Sequence, residues 1–320
     1  MTQKKVYLVT GASGFIGSCL ARKLVAENAE VHVFLKKDAR TWRIDDILNK
    51  MSAHVSDLSD LNELNKLVTK INPTVIYHLA TYGAYSSQKD ADRCIQTNIQ
   101  GTWHLLQATM GMDYELFVNT GSSSEYGFKK TPMKETDSLE PASYYAATKA
   151  SQTLLCSHIA RAEKKPIVTL RPFSVYGPYE EPARFVPTLM KALYFKEKMN
   201  LVSPAISRDH IYVDDMVNAF LLVDRLKEFP GETFNIGTGH QSSIKDVVET
   251  SVRVTGETTD FNWGAMSARA WDTTLWVADT SKAKQLLGWS PQTDLGRGLS
   301  QTWEWFKKNH FLYTEKKSGF

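Results

Sequence analysis

In the first half of the chain, short β-rich apolar runs alternate with stretches whose apolar residues recur at helical spacing. Lys5-Val6-Tyr7-Leu8-Val9-Thr10 reads as a buried strand, and Ile16, Cys19, Leu20, Leu24 and Val25 follow it with helical period. Val31-His32-Val33-Phe34-Leu35 reads as a second strand. Further strands are predicted over 74–79, 116–119 and 167–170, and helices over 60–70, 98–110 and 145–163. Such alternation predicts an α/β fold with a doubly wound parallel sheet. After Pro172 the alternation loosens: Pro178, Pro182 and Pro187 follow closely, and tryptophans gather late at Trp263, Trp271, Trp276, Trp289, Trp303 and Trp305. Most of these are expected to anchor a core, with Trp271 or Trp276 as candidates to stack on a base.

Between the first strand and the first helix lies Gly11-Ala12-Ser13-Gly14-Phe15-Ile16-Gly17. Its first glycine allows a tight turn, its second lets a pyrophosphate approach the backbone, and its third lets helix and strand pack closely. The helix start, with Ser13, Phe15 and Ile16, then offers N–H groups and a partial positive charge to phosphates. A bound nicotinamide dinucleotide is the expectation. At the end of the second strand, an acid would hold a ribose 2′-hydroxyl, whereas this chain has Leu35, Lys36 and Lys37, then Arg40 and Arg43. Basic residues there accommodate a 2′-phosphate, so NADP is expected ahead of NAD. Residues 1–175 are expected to form the dinucleotide-binding domain, with segments near 208–250 returning to it, and 176–320 a smaller substrate-binding domain.

Tyr145 and Lys149 stand four apart on one predicted helix and share a face. A tyrosine is a poor base at neutral pH, and a neighbouring ammonium favours its phenolate, which suits an alcohol–ketone pair. Upstream, Thr120-Gly121-Ser122-Ser123-Ser124-Glu125-Tyr126-Gly127 puts serines at a strand end, either as substrate-polarising hydroxyls or as a capping turn.

Composition narrows the field. The chain has 320 residues, 42% hydrophobic and 23% charged, with 38 basic against 35 acidic residues and a net charge of +3. That balance gives little drive toward nucleic acid or a membrane surface. Cys19, Cys94 and Cys156 are far apart and, like the scattered histidines, predict neither a metal site nor a disulfide framework. No apolar run is long enough to span a bilayer, and the early strand leaves no room for a signal peptide, so a cytoplasmic enzyme is expected.

Several patterns then occur in order: Gly11-x-x-Gly14-x-x-Gly17, Asp57-Leu58, His78-Leu79-Ala80, Asn98-x-x-Gly101-Thr102, the serine run ending Tyr126-Gly127, and Tyr145-x3-Lys149. Arg171-Pro172-x3-Tyr176-Gly177-Pro178, Arg208-Asp209-x-Ile211-x-Val213-x-Asp215, Asn235-Ile236-Gly237 and Leu287-Gly288-Trp289-x-Pro291 follow. Together they resemble the extended short-chain dehydrogenase/reductase family, in its NAD(P)-dependent nucleotide-sugar epimerase/dehydratase branch. The resemblance implies Tyr145 and Lys149 as catalytic residues, with Ser122 as the catalytic hydroxyl and Ser123 as its rival. It implies that Asp57 contacts adenine, with Leu58, Leu79, Ala80 and Pro172 also lining the dinucleotide. Tyr82, Ser174, Arg184, Arg208 and Arg269 become candidates to meet a nucleotide sugar. Ser174 stands where the family pattern has an asparagine, which leaves that contact open.

The same resemblance implies hydride transfer at sugar C4. Dehydratases of this family carry an acid pair just after the catalytic threonine, where this chain has Ser123 and Ser124, with Glu125 one place later. The basic stretch favours a 4-ketoreductase acting on an NDP-4-keto-6-deoxyhexose, with a nucleotide-sugar 4-epimerase close behind. A 4,6-dehydratase and a non-catalytic dinucleotide sensor are the remaining alternatives. A homodimer through the Tyr145–Lys149 helix is also implied, and its Ala150, Leu154 and Leu155 side is compatible with one.

Overall fold

The computed structural model describes residues 5–85, 87–267 and 272–314. The strands include β1 Val6–Thr10, β2 Glu30–Leu35, β3 Ser52–Val55, β4 Val75–His78, β5 Leu116–Thr120, β6 Ile167–Pro172, β7 Ser174–Tyr176, β8 Met199–Asn200, β9 Ser207–Arg208, β10 His210–Tyr212 and β11 Thr233–Ile236. Among the described residues, seven of them form one sheet in the order β11-β6-β5-β4-β1-β2-β3. The β1–β2, β1–β4, β2–β3, β4–β5 and β5–β6 pairs are parallel. This is the α/β fold the alternation predicts. Strand order reverses between β1 and β4, which opens a crevice beyond the carboxyl ends of those strands.

Helices α1 Phe15–Ala26, α2 Leu61–Ile71, α3 Ala91–Cys94, α4 Gly101–Met110, α5 Tyr144–Ala162 and α6 Phe185–Phe195 accompany these strands. Local sequence explains their limits. Asp60 caps α2 by accepting from the Glu63 N–H, Leu64, Val68 and Ile71 line its buried side, and Asn72 ends it in the left-handed region. The helix expected over 98–110 begins earlier, at Ala91, and passes through a π-helical segment, Ile95–Gln100, before α4. Strand β3 was not predicted, because Ser52-Ala53-His54-Val55 has no apolar run; backbone pairing with β2 makes it a strand.

The chain forms two compact units. The first takes the described residues of Met1–Gly127 with Ser138–Pro172 and Val217–Phe234. Its core joins Leu8, Ile76 and Phe117 of the sheet to Leu64, Leu105, Cys156 and Ile159 of the helices. The second takes Phe128–Asp137, Phe173–Met216 and the described residues of Asn235–Phe320. There β7 and β10 pair in parallel, with His210 beside Ser174 and Tyr212 beside Tyr176. Both aspartates quoted from this region are clamps. The Asp209 carboxylate accepts from the Thr238, Gly239 and Ala278 N–H groups at 2.8–3.1 Å. The Asp215 carboxylate accepts from the Gln292 and Thr293 N–H groups at 3.0 and 2.9 Å. Trp276, Trp289 and Trp303 are buried, while Trp271 lies outside the described residues. No described helix is long and apolar enough to cross a membrane.

A tight contact in the first unit lies at Gly17, where an added Cβ would sit 2.2 Å from the Gly11 carbonyl oxygen. Neither group is a movable side chain, so the turn itself would have to shift. Gly17→Ala is expected to destabilise the protein by about 1–3 kcal/mol, read as a lowered melting temperature.

Candidate active site

The glycine turn is closed on two sides and open on a third. Gly11, at φ +72°, lies so close to β4 that a Cβ there would meet the Leu79 and Ala80 backbone at 2.6 Å. At Gly14 an added Cβ would meet only the Gly11 oxygen, at 3.2 Å. Gly14 also caps α1 without any side-chain hydrogen bond, and no acidic residue stands in the helix's first turn. The open side thus presents orphan N–H groups at the positive end of a helix, which fits a pyrophosphate. Arg43, the last of the basic residues after β2, is buried; it lies over the Trp42 ring and donates to the Ser13 carbonyl at 3.4 Å.

A cavity of about 180 Å³ in the same unit is lined by Lys36, Asp57, Leu58, Arg93, Gln96 and Thr97 among others. Gly101 packs directly on Leu58, because a Cβ there would come within 2.9 Å of the leucine Cβ. The basic run after β2 is not uniformly available to a ligand. Lys36 pairs with Asp57 at 3.3 Å, whereas Lys37 and Arg40 are exposed. The Lys36 charge and hydrogen bonds from Ser59 hold the Asp57 carboxyl below its usual range, outweighing partial burial, the largest single influence on it.

Behind the turn, His78 and Asn98 are buried and hydrogen-bonded. His78 Nδ1 lies 2.7 Å from Thr10 Oγ1 and its Nε2 2.8 Å from Thr102 Oγ1. Burial, with help from the Lys149 charge, pushes the His78 imidazole down to about 3, so it is neutral. Asn98, inside the π-helical segment, accepts from the Tyr82 N–H and the Thr81 hydroxyl, and donates to the Tyr82 carbonyl and Thr148 Oγ1. One amide therefore ties the loop after β4 to α5. Such π segments recur at functional sites. Tyr82 carries the Arg93 guanidinium 4.6 Å over its ring.

Tyr145 and Lys149 both lie on α5, which Ser143 caps through the Ala146 N–H. Gly83, at φ +96°, packs over Tyr145: a Cβ there would stand 3.2 Å from the Tyr145 Cβ and 2.6 Å from Cys94 Sγ. Lys149 is buried, and its ammonium donates to the Thr120 carbonyl and to Gln152 Oε1. Burial pushes it down to about 8, with the Glu125 charge opposing the fall. Ser122 and Ser123 are both buried. Ser122 caps the turn Ser123–Tyr126, accepting from the Ser124 N–H at 3.2 Å and sharing a 2.5 Å bond with the Ser124 hydroxyl.

Glu125 completes that turn from below, in a role the sequence reading missed. Its carboxylate accepts from the Ser122 N–H at 2.7 Å, the Thr153 hydroxyl at 3.0 Å and Arg171 Nε at 2.8 Å. Arg171 also donates to the Tyr126 hydroxyl at 2.8 Å, and both members of the ion pair are buried. Pro172, next in the chain, ends β6. The remaining candidates lie in the second unit. Ser174 is on β7, and Arg184 caps α6 and reaches Glu180 at 3.7 Å. Arg208 donates to the Ser207 carbonyl, pairs with Asp272 at 3.6 Å and lies over the Trp276 ring. Arg269 lies outside the described residues. Among the described residues, no group of three or more His, Cys, Asp or Glu could hold a metal ion.

Removing one partner of a buried pair strands the other charge. Glu125→Ala is expected to cost about 3–5 kcal/mol in denaturant unfolding, with Arg171→Ala in a similar range.

The sequence profile of the GDP-mannose 4,6 dehydratase family matches residues 8–302. An uncharacterized UDP-glucose epimerase of Bacillus subtilis is 31% identical over 304 residues, covering 92% of this chain and 95% of that protein. A UDP-glucuronate 4-epimerase of Thermodesulfobacterium geofontis is 28% identical over 95% of this chain and 96% of its own. The crystal structure of UDP-glucuronic acid 4-epimerase from Bacillus cereus, in complex with UDP-glucuronic acid and NAD, superposes with a TM-score of 0.84 at 29% identity, covering 94% of this chain and 99% of that one. With the ordered motifs and a doubly wound sheet carrying them, the chain belongs to this family, among the extended short-chain dehydrogenase/reductase enzymes that act on nucleotide sugars.

Proposed function

We propose that this enzyme is a nucleotide-sugar 4-epimerase that holds NAD and acts on a UDP-linked hexose or hexuronic acid. The observation that carries the reading is the Lys36–Asp57 pair at 3.3 Å. The argument for NADP rested on free basic residues after β2, and the first of them is held by a carboxylate. The B. cereus 4-epimerase, similar over nearly its whole length, binds NAD and UDP-glucuronic acid. Glu125 supports the exclusion of a dehydratase, since its carboxylate is committed to Arg171, Thr153 and the Ser122 N–H.

In this reading the uncapped start of α1 binds the pyrophosphate, and the cavity beside Asp57 takes the adenosine end. The bound dinucleotide supplies reversible hydride acceptance. The Tyr145 phenolate oxygen takes the proton of the sugar C4 hydroxyl and returns it when the ketone is reduced on its other face, so no net oxidant is consumed. Lys149 keeps that phenol acidic through its charge. Ser122, with Ser123 as its rival, polarises the C4 oxygen. Pairing of two copies through α5 belongs to the same reading, since Tyr144 and Leu154 on that helix are exposed. A 4-ketoreductase using NADPH is the second reading, and the exposed Lys37 and Arg40 favour it.

Incubation with UDP-glucose and UDP-glucuronate, without added dinucleotide, is expected to give a new sugar spectrum at unchanged mass, and Tyr145→Phe to give none. Turnover that needs NADPH and adds two hydrogens to a 4-keto sugar would replace the epimerase with the reductase. The rate is also expected to depend on the Lys149 charge. Because burial holds that ammonium near 8, the charge is present below that pH and lost above it. A pH–rate profile should therefore fall on its alkaline side through about pH 8.

A further inference from the structure

Tyr145, Lys149, Gln152 and Cys156 recur at helical spacing along one face of α5. Helical side chains lean toward the N-terminus of their helix, which brings the buried Gln152 amide back to Lys149. Its Oε1 accepts from the Lys149 ammonium, whose other acceptor is the Thr120 carbonyl at the end of β5. An ammonium offers three N–H groups, so these two contacts fix its direction and leave one N–H over. Both acceptors are neutral. The titratable groups that surround the ammonium are Tyr145 and Cys156 on α5, Glu125 on the serine turn and His78 at the end of β4. The Glu125 carboxylate is bound to Arg171, the His78 imidazole is neutral, and burial pushes the Cys156 thiol up to about 12.

The orientation of the amide is forced. An ammonium can only donate, so Gln152 turns its oxygen to Lys149 and leaves its Nε2 buried without a hydrogen-bond partner. A buried N–H group with no acceptor costs stability, so the amide is a poor choice for packing alone and a good one for holding Lys149. We propose that Gln152 is a positioning residue for the reaction: its amide oxygen anchors the Lys149 ammonium on the Tyr145 face of α5 while adding no charge, an inference that rests on the roles given to Tyr145 and Lys149 above. Two substitutions bracket this amide. A carboxylate would pin the ammonium in a buried ion pair, and an apolar side chain would leave it one acceptor where burial disfavours charge.

The test measures kcat and KM against pH for wild-type, Gln152→Leu and Gln152→Glu proteins with UDP-glucose and UDP-glucuronate, beside melting temperature and NAD affinity. The lysine ε-carbon signals of isotope-labelled protein are followed by NMR over the same pH range, with Lys149→Arg identifying the Lys149 signal. In wild type that signal should titrate at about 8. Gln152→Leu should bring this midpoint and the alkaline limb of kcat down by about one pH unit, the size of one hydrogen bond to a charged group, with KM little changed. Gln152→Glu keeps an acceptor and adds a charge, so it should move both upward. Midpoints that coincide in the three proteins overturn the proposal. So does a loss of kcat that is equal at every pH, which marks a residue of structure only. If Gln152→Leu does not fold, Gln152→Met is read against the same criteria. Midpoints that move as expected in a protein that turns over neither sugar nucleotide uphold the contact and overturn the nucleotide-sugar reading instead.

Discussion

The close approach of Gly11 and Gly17 to backbone is the constraint on which the dinucleotide side depends. With a Cβ of Gly17 placed 2.2 Å from the Gly11 oxygen, α1 can lie where it does only because that carbon is missing. The same turn sits against Leu79 and Ala80, at the point where strand order reverses. Helix start, turn and crevice are therefore one packed object, and Gly14 is left as its open face.

Three polar groups behind this object are buried with partners supplied. His78 is spanned by two threonines, Asn98 fills its bonds between Tyr82 and Thr148, and Glu125 answers Arg171, Thr153 and the Ser122 N–H. Interiors of low dielectric make an incomplete set costly and a complete one rigid. The serine turn and the Tyr145–Lys149 helix are held by such sets.

Electrostatics also separates residues that look alike in a sequence. Lys36 and Lys37 are neighbours of equal charge, yet Lys36 meets Asp57 and Lys37 faces solvent. Lys149, buried, is pushed down to about 8, close enough to neutrality for its charge to be a working variable.

Much was legible in the chain itself. The alternation of strand and helix periods determined the α/β class, because burial of a sheet on both faces leaves that imprint on its central strands. The glycine spacing determined the turn, since only a missing side chain allows it, and the ordered motifs determined the family. The Lys36–Asp57 pair was less legible, because the two residues are distant in sequence and meet only when β2 and β3 lie side by side. Glu125 read as a displaced acid until Arg171 was found beneath it. Strand β3 had no apolar run to announce it. In each case the deciding interaction joins residues that only the folded chain brings together.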